Sequence, residues 1–311
     1  MDEPSKRRPR RAWRAAVTAD VAAAQGGALS RAQLRARGVT RYDVREEVAA
    51  GRWSVRGHQT VFIPPVEQEL ADRWSAVFEV GAGARLDGVT ALLQAGLKGW
   101  SQEVIDVSVP HHKKVRRVPG VRIHAVRALE ALTTHALPRT RTEIATIRAA
   151  VWAVSDRQAA TFIAMAVQQR LVAKPALLEA WDQMSYVRNA AFLGQIIRDV
   201  CAGAESLGEL DFARLCRQYG LPEPERQVVR REGKSRVYLD VRWRDRAVVV
   251  EVDGAQHFSG LTPVDDALRQ NAVVLGGDAV LRIPVLGLRL YESQFMEQVR
   301  AALAAEVRRT A

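Results

Sequence analysis

The sequence is poor in cysteine and in long apolar runs. Its 311 residues include two cysteines, Cys201 and Cys216, with no further cysteine or histidine close by, so they are expected to be reduced structural thiols. No apolar stretch reaches the roughly 18 residues that a membrane-spanning helix needs. The basic start MDEPSKRRPRRAWR is not followed by an apolar core with a cleavage site, so no secretory signal is expected. These absences predict a cytoplasmic protein with no membrane partner.

Negative charge is outnumbered by positive charge. Forty-six lysine and arginine residues stand against 35 acidic ones, a net charge of +11 with a pI near 10.3. Residues 1–65 hold thirteen of the basic residues and six of the acidic ones, a net charge of +7. Such an excess favours a polyanionic partner, and the predominance of arginine suits bidentate contact with phosphates. A GC-rich genome would produce the same arginine excess, so charge alone does not identify the partner as DNA.

Residues 13–65 carry the pattern of a winged helix-turn-helix. Ser30 and Thr40 are suitable N-caps for two short helices that follow a first helix over residues 13–24. The segment WSVRGHQTVFIPP alternates in polarity and breaks at Gly57, which indicates a two-stranded wing. Residues 1–12 are expected to form a disordered basic arm. The segment resembles the N-terminal winged helix of AbiEi-type abortive-infection antitoxins.

In that fold the second short helix would present its basic face to DNA. An alternative is a small helical domain for protein contacts, since Glu46 and Glu47 on the same helix would repel phosphate. The predicted DNA-binding residues are Arg41, Tyr42 and Arg45 on the helix, with Arg52 and Arg56 near the wing.

Residues 66–204 are expected to form a middle domain of mixed α/β structure. Two strand-like segments, EVIDVSVP and VRIHAV, flank the basic segment HHKKVRRVPG. A solvated hairpin loop is one interpretation of that segment, and contact with phosphate is the other. The middle part resembles the segment that follows the winged helix in antitoxin-like proteins, and it contains no catalytic pattern.

Residues 205–311 predict a compact α/β domain with the order α-β-β-β-α-β-α. Ser206 and Glu209 form a capping-box pattern for a helix that ends at Gly220. The strand-like segments are ERQVVRR, RVYLDVRW, AVVVEVDG and DAVLRIPV, with helices expected over residues 263–275 and 292–308. The whole chain is therefore expected to be α+β, with this αβββαβ core at its end.

Two acids of this domain are predicted to face each other. If Trp243 pairs with Arg246 across a two-residue turn, Asp240 lies opposite Val249 and diagonal to Glu251, about 7–8 Å away. Alternation along the strand puts Glu251 and Asp253 on the same face. A four-residue connection would keep this parity, whereas a three-residue connection would break it.

The chemistry of such a pair depends on what neutralises it. The Val-rich strand suggests burial on both faces, where neighbouring carboxylates need a metal ion, an arginine or a proton. Oxygen ligands suit Mg²⁺ or Mn²⁺, and phosphodiester hydrolysis is the matching reaction. Two alternatives stay open: a surface hairpin whose acids pair with Arg236, Arg242 or Arg269, and a degenerate site that does not cut.

The segment RVYLDVRWRDRAVVVEVDGAQHF, with its flanks over residues 205–304, resembles a domain family related to very-short-patch repair endonucleases, within the PD-(D/E)xK nuclease superfamily. The resemblance implies that Asp240 is the principal metal ligand and Glu251 the second. It implies an assisting role for Glu209 in the preceding helix. Asp253 stands where that superfamily usually has a lysine, which departs from the pattern.

Three further residues are candidates to compensate for the missing lysine. His257 would act as general base or additional ligand, while Gln256 and Arg269 would position water and offset phosphate charge. The sequence thus predicts a DNA-binding, Mg²⁺-dependent endonuclease. The alternatives are an antitoxin-type transcriptional regulator with a degenerate nuclease domain, with a toxin as a possible partner, and a protein-interaction module that never contacts DNA.

Overall fold

The computed structural model describes residues 7–127, 129, 137–202, 210–232, 236–253, 262–274 and 280–310. The protein is α+β, as the sequence predicted. It divides into two compact units, the first formed by Met1–Gln94 with Gly99–Arg141 and the second by Ala95–Lys98 with Thr142–Ala311. Among the described residues, no helix has the length and apolar character required to cross a bilayer.

The first unit begins with three helices and a small antiparallel sheet of order β1-β3-β2. Ser30 and Thr40 are the N-caps of α2 and α3, and each belongs to a capping box, because both side chains satisfy backbone N–H groups of the first turn. The element order is that of a winged helix-turn-helix. The elements are α1 (Arg7–Ala24), β1 (Ala28–Ser30), α2 (Arg31–Ala36), α3 (Arg41–Ala49), β2 (Ser54–Arg56) and β3 (Thr60–Phe62).

Helix α1 starts earlier than expected, at Arg7 instead of residue 13. The prediction of a disordered arm over residues 1–12 is therefore wrong for residues 7–12, and residues 1–6 lie outside the described part. Arg10 donates to both carboxylate oxygens of Asp43, at 2.8 and 3.1 Å. These contacts attach the basic segment, residues 7–12, to α3, and its own sequence does not reveal that contact.

The rest of the first unit carries a second three-stranded sheet of order β4-β5-β6. Strands β5 and β6 are parallel, so HHKKVRRVPG is a crossover connection and the hairpin interpretation is wrong. The elements are α4 (Gln68–Val80), β4 (Arg85–Leu86), α5 (Gly88–Gln94), β5 (Ile105–Pro110) and β6 (Val121–Val126).

The division between the units runs through the segment that the sequence suggested as one middle domain. Helix α4 packs on β1 and β3, and the Glu79 side chain of α4 accepts hydrogen bonds from the wing. The helices from Thr142 onward instead share one hydrophobic core with the C-terminal sheet. They are α6 (Thr142–Val151), α7 (Asp156–Gln168), α8 (Lys174–Gln183) and α9 (Ala190–Ala202).

The C-terminal part of the second unit has the expected αβββαβ order. Its sheet has the order β10-β9-β8-β7, in which β7, β8 and β9 are antiparallel and β10 is parallel to β9. The elements are α10 (Phe212–Gln218), β7 (Arg226–Glu232), β8 (Arg236–Trp243), β9 (Val248–Asp253), α11 (Thr262–Val274), β10 (Val280–Pro284), α12 (Val285–Leu290) and α13 (Glu292–Thr310).

Two details of this domain differ from the sequence interpretation. Helix α10 begins at Phe212 and is capped by Asp211, whose carboxylate accepts from the N–H of Arg214 at 2.9 Å. The predicted capping box of Ser206 and Glu209 lies outside the described residues. The short helix α12, between β10 and α13, was not anticipated. It follows Pro284 directly, and its residues VLGLRL carry no polar N-cap signal.

One face of the sheet is apolar and buried, and the other is polar. Leu239, Val241 and Trp243 on β8 are at most 2% exposed, and they belong to the hydrophobic core that the helices complete. Strand β9 alternates between buried and half-buried residues. The expectation that this strand is buried on both faces is therefore wrong, because the helices of the core pack on the apolar side. The acids lie on the other side.

Both cysteines are buried and free. Burial raises the pKa of Cys201 to about 11 and that of Cys216 to about 12. The thiol is therefore the stable form of each side chain at neutral pH, in agreement with the structural role expected for them.

Candidate metal centre and nucleic-acid interface

The carboxylate pair depends on the connection between β8 and β9. Residues 244–246 form a single 3-10 turn, and Ala247 follows with φ 51°. Trp243 therefore pairs with Val248, across four connecting residues instead of two. The longer connection moves the partner of Asp240 from Val249 to Glu251. Parity is kept, as expected for an even number of residues, but the two acids are direct cross-strand neighbours.

Direct neighbours are closer than diagonal ones. Opposite residues of an antiparallel pair have Cβ atoms about 4.5–5.5 Å apart, a separation that two carboxylates can bridge with one cation between them. Asp240 is fully buried, and the Glu251 side chain is 17% exposed. Two carboxylates that are this close and this buried repel each other strongly unless a positive charge lies beside them.

Two arginines supply that positive charge. The Nε of Arg242, two residues along β8, donates to both oxygens of Asp240, at 2.8 and 3.0 Å. The Nε of Arg282 on β10 donates to Glu251 at 3.3 Å, and Arg282 is the register partner of Glu251 in the parallel pair. The hydrogen bond with Asp240 raises the pKa of Arg242. Both arginine side chains are about half exposed, at 42% for Arg242 and 55% for Arg282.

The structure thus contains one element of the surface-hairpin alternative, in which arginine balances the acids. Arg242 was among the three arginines named for that role. No role was predicted for Arg282 from the sequence. The alternation of VLRIP already places its side chain on the face of β10 that is not occupied by the buried Leu281 and Ile283. What the sequence does not provide is the parallel register that brings Arg282 beside Glu251.

The remaining predicted site residues are only partly described. Asp253 ends β9 on the polar face and pairs in register with Tyr238. Glu209, Gln256 and His257 lie outside the described residues, and Arg269 lies in α11 without a described side chain. In the part of the chain that the structure describes, no group of three or more His, Cys, Asp or Glu side chains is arranged to hold a metal ion.

The second candidate site is the outer face of α3. Arg41, Tyr42 and Arg45 are all exposed. The Arg41 guanidinium lies 4.9 Å from the centre of the Tyr42 ring and donates to its hydroxyl at 2.9 Å. These three predicted DNA-binding residues are thus on one accessible surface at the start of the helix.

The acids of α3 point toward α1. Arg14 is 1% exposed, and its guanidinium contacts Asp43, Glu46 and Glu47 at 2.6–3.0 Å. The hydrogen bond from Arg10 holds the pKa of Asp43 well below its usual range, although burial opposes this. The concern that Glu46 and Glu47 would repel phosphate is therefore weakened, because their charges are balanced by arginine.

The two predicted contacts near the wing are engaged within the protein. Arg52 donates to Glu47 at 2.5 Å, and Arg56 forms an ion pair with Asp72 of α4. Glu79 of α4 accepts from the N–H groups of His58, Gln59 and Thr60 at 2.7–2.8 Å, which ties down the tip of the wing.

Comparisons with known proteins add little. No family model matches the chain, and no curated protein matches it either. Among solved structures, the crystal structure of the RV2827C protein from Mycobacterium tuberculosis is similar, with a TM-score of 0.39 and 17% sequence identity over 61% of this chain and 76% of that chain. A likeness at this level carries no conclusion about function.

Proposed function

We propose that the protein binds DNA through its winged helix and hydrolyses DNA phosphodiester bonds in its C-terminal domain. The observation that carries the proposal is the direct pairing of Asp240 with Glu251 on the polar face of the sheet. Two adjacent carboxylates on this face repel each other and repel phosphate, so a domain that only binds DNA has no need of the pair unless the arginines are its permanent partners. The αβββαβ order around them supports the same proposal.

The donor set fits a hard divalent cation. Mg²⁺ is held in many enzymes by one or two carboxylates, with waters and substrate phosphates completing its coordination. Asp240 and Glu251 would hold Mg²⁺ or Mn²⁺ once their arginine partners turn away. The bound ion would activate a water molecule and offset charge on the phosphate.

The arginines have a role in this proposal. Arg242 and Arg282 lie beside the carboxylates with half-exposed side chains, and guanidinium binds phosphate oxygens in a bidentate manner. Substrate phosphate would draw both groups away from the acids and so exchange one ion pair for another. Arg282 would supply the positive charge that Asp253 cannot, with His257, Gln256, Arg269 and Glu209 as the other candidates that the sequence names.

The winged helix would provide the affinity for DNA. Arg41 and Arg45 would contact phosphates or base edges, and Tyr42 would add a stacking or hydroxyl contact. Arg10, Arg14 and Arg52 support this assignment, since they neutralise the acids of α3 that would otherwise repel DNA phosphates. A cytoplasmic location would suit this activity.

A second candidate is an antitoxin-type transcriptional regulator whose nuclease-like domain does not cut. The observation in its favour is that Asp240 and Glu251 already have arginine partners. Arginine can balance two carboxylates permanently, and the sheet then needs no metal. Asp253 in place of a lysine favours the same candidate. A toxin or another protein would be the partner of such a regulator.

One experiment separates the two candidates. The full chain is incubated with supercoiled plasmid, single-stranded DNA and a mismatched duplex, each with Mg²⁺, with Mn²⁺ and with chelator. Asp240→Asn and Glu251→Gln keep the size of each side chain and remove its charge. Asp245→Asn is the matched control, since Asp245 is exposed in the turn of the same hairpin.

The nuclease proposal expects metal-dependent nicking that both site variants abolish and the control retains. DNA binding without nicking would identify the regulator instead. Nicking that persists in both site variants would show that the carboxylate pair is not the site, and absence of DNA binding would contradict both candidates. Circular dichroism melting of each variant checks that loss of activity is not loss of fold.

A further inference from the structure

The first unit contains a second strongly basic segment outside the winged helix. The crossover that joins β5 to β6, residues 111–120, has the sequence HHKKVRRVPG, with four lysine and arginine residues and no acid. All four of these cations are exposed. Among the described residues, none of the four has an ion-pair partner, whereas Arg10, Arg14, Arg52 and Arg56 of the winged helix are all paired.

The crossover is held at both ends by its backbone. The N–H of His111 donates to Val126 at 3.0 Å, and the N–H of Lys113 donates to Pro110 at 2.9 Å. At the other end the N–H of Ile105 donates to Gly120 at 2.9 Å. Parallel strands usually need a connection of about a dozen residues or more, so a ten-residue crossover has little slack. Its cations are thus presented on a constrained segment, which lowers the entropy lost on binding.

The crossover lies next to the wing. A groove of about 380 Å³ is lined both by Gly57 and His58 of the wing tip and by Arg116 and Arg117 of the crossover. Helix α4 also contributes to the lining, with Asp72 and Glu79 among its residues there. Wing and crossover therefore lie side by side on one unit.

The acids of this groove are largely engaged. Asp72 pairs with Arg56, and Glu79 accepts hydrogen bonds from the wing backbone. Glu103, exposed two residues before β5, is the remaining carboxylate. The cations of the crossover outnumber it, so the outer surface beside the wing is basic.

We infer that the crossover is a second DNA-backbone contact, which extends the footprint of the winged helix past its wing. The wing tip is tied to α4, so it does not extend freely along DNA, and the crossover presents cations beside it. Because the contact is to phosphates, it adds affinity and salt dependence without sequence preference. This inference rests on the proposed DNA binding.

The test measures salt dependence with the full chain. A fluorescein-labelled 40-base-pair duplex is titrated by anisotropy at several NaCl concentrations. The variant replaces four residues by glutamine: Lys113, Lys114, Arg116 and Arg117. The control variant removes the same charge from exposed positions of the second unit by the same substitution: Arg170, Lys174, Arg188 and Arg198.

Each phosphate contact contributes about 0.9 to the slope of log K against log salt. We expect the crossover variant to lower the slope by about 2–4 for two to four lost contacts, and the control to leave it near the wild-type value. Hydroxyl-radical footprinting should show protection shortened at one end only. Slopes that agree between wild type and the crossover variant, or that fall equally in the control, would overturn the inference.

The result also separates this inference from the proposed function. If the wild type binds DNA and Arg41→Ala with Arg45→Ala weakens binding, the winged-helix assignment holds whatever the crossover variant does. If the wild type binds no duplex at any salt concentration, the proposed DNA binding is wrong, and the inference is overturned with it.

Discussion

Removal of the Arg14 charge should destabilise the winged helix. The Arg14 side chain is 1% exposed and forms ion pairs with Asp43 and Glu47, whose side chains are both 3% exposed. Arg14→Met keeps the apolar stem and removes the charge, so the change isolates the electrostatic contribution. The substitution leaves two buried carboxylates with one arginine partner fewer.

Breaking a buried ion pair by removing one partner costs about 3–5 kcal/mol. Asp43 keeps Arg10, and Glu47 keeps Arg52, so the lower end of that range applies. We therefore expect a loss of about 3 kcal/mol, which corresponds to a change of roughly a hundredfold in an equilibrium constant.

Amide hydrogen exchange measures this loss of stability locally, in the helices that the Arg14 ion pairs join. The chain has two compact units, so a single unfolding curve would mix them, whereas exchange of peptides from α1 and α3 reports on local opening. Arg11→Met is the matched control, because Arg11 is exposed on the same helix and the change in net charge is identical. An acceleration below tenfold in α3, or an equal one in the control, would refute the reasoning.

Three further predictions concern other contacts. Burial opposes ionisation of Glu79, but hydrogen bonds from the wing backbone outweigh burial and lower the pKa of Glu79. The wing is therefore stabilised above the unfolded pKa of about 4.3 and loses that stabilisation as pH falls through the lower folded pKa. Hydrogen exchange of the wing peptide between pH 6 and 3 should show this loss, and Glu79→Gln should remove most of the pH dependence. Cys216, whose pKa burial raises to about 12, should not react with a thiol reagent at pH 8 until urea unfolds the second unit, and fast reaction of the native protein would contradict the assigned burial. The Asn271 side chain forms hydrogen bonds with the backbone N–H and C=O of Arg282, at 3.0 and 2.9 Å. Asn271→Leu should lower the stability by about 1–3 kcal/mol for each backbone group left unpaired. The loss should appear as faster amide hydrogen exchange in β10 and not in β7.

Local signals were sufficient for much of the fold. Ser30 and Thr40 marked the starts of α2 and α3 because an N-cap acts on N–H groups of its own first turn. Period-two alternation placed Asp240 and Glu251 on one face of the sheet, since parity does not depend on which even connection joins the strands. These features need no information beyond a few neighbouring residues.

Contacts between distant segments could not be obtained in this way. The helical start of α1 depends on Asp43, 33 positions from Arg10, and no local pattern in the basic segment reveals that partner. The parallel pairing of β5 with β6 likewise depends on how the chain crosses the sheet, which a basic loop sequence does not specify.

The carboxylate site shows the same division. The sequence by itself determined that Glu251 and Asp253 share a face of their strand, because side chains alternate along strands, and that Asp240 joins them for any connection with an even number of residues. Only the tertiary structure decided that Asp240 and Glu251 are direct neighbours, through a four-residue connection with Ala247 at positive φ. It also brought Arg282 beside Glu251 from 31 positions away in the chain, through a parallel pairing of β10 with β9 that the residues of either strand alone do not specify.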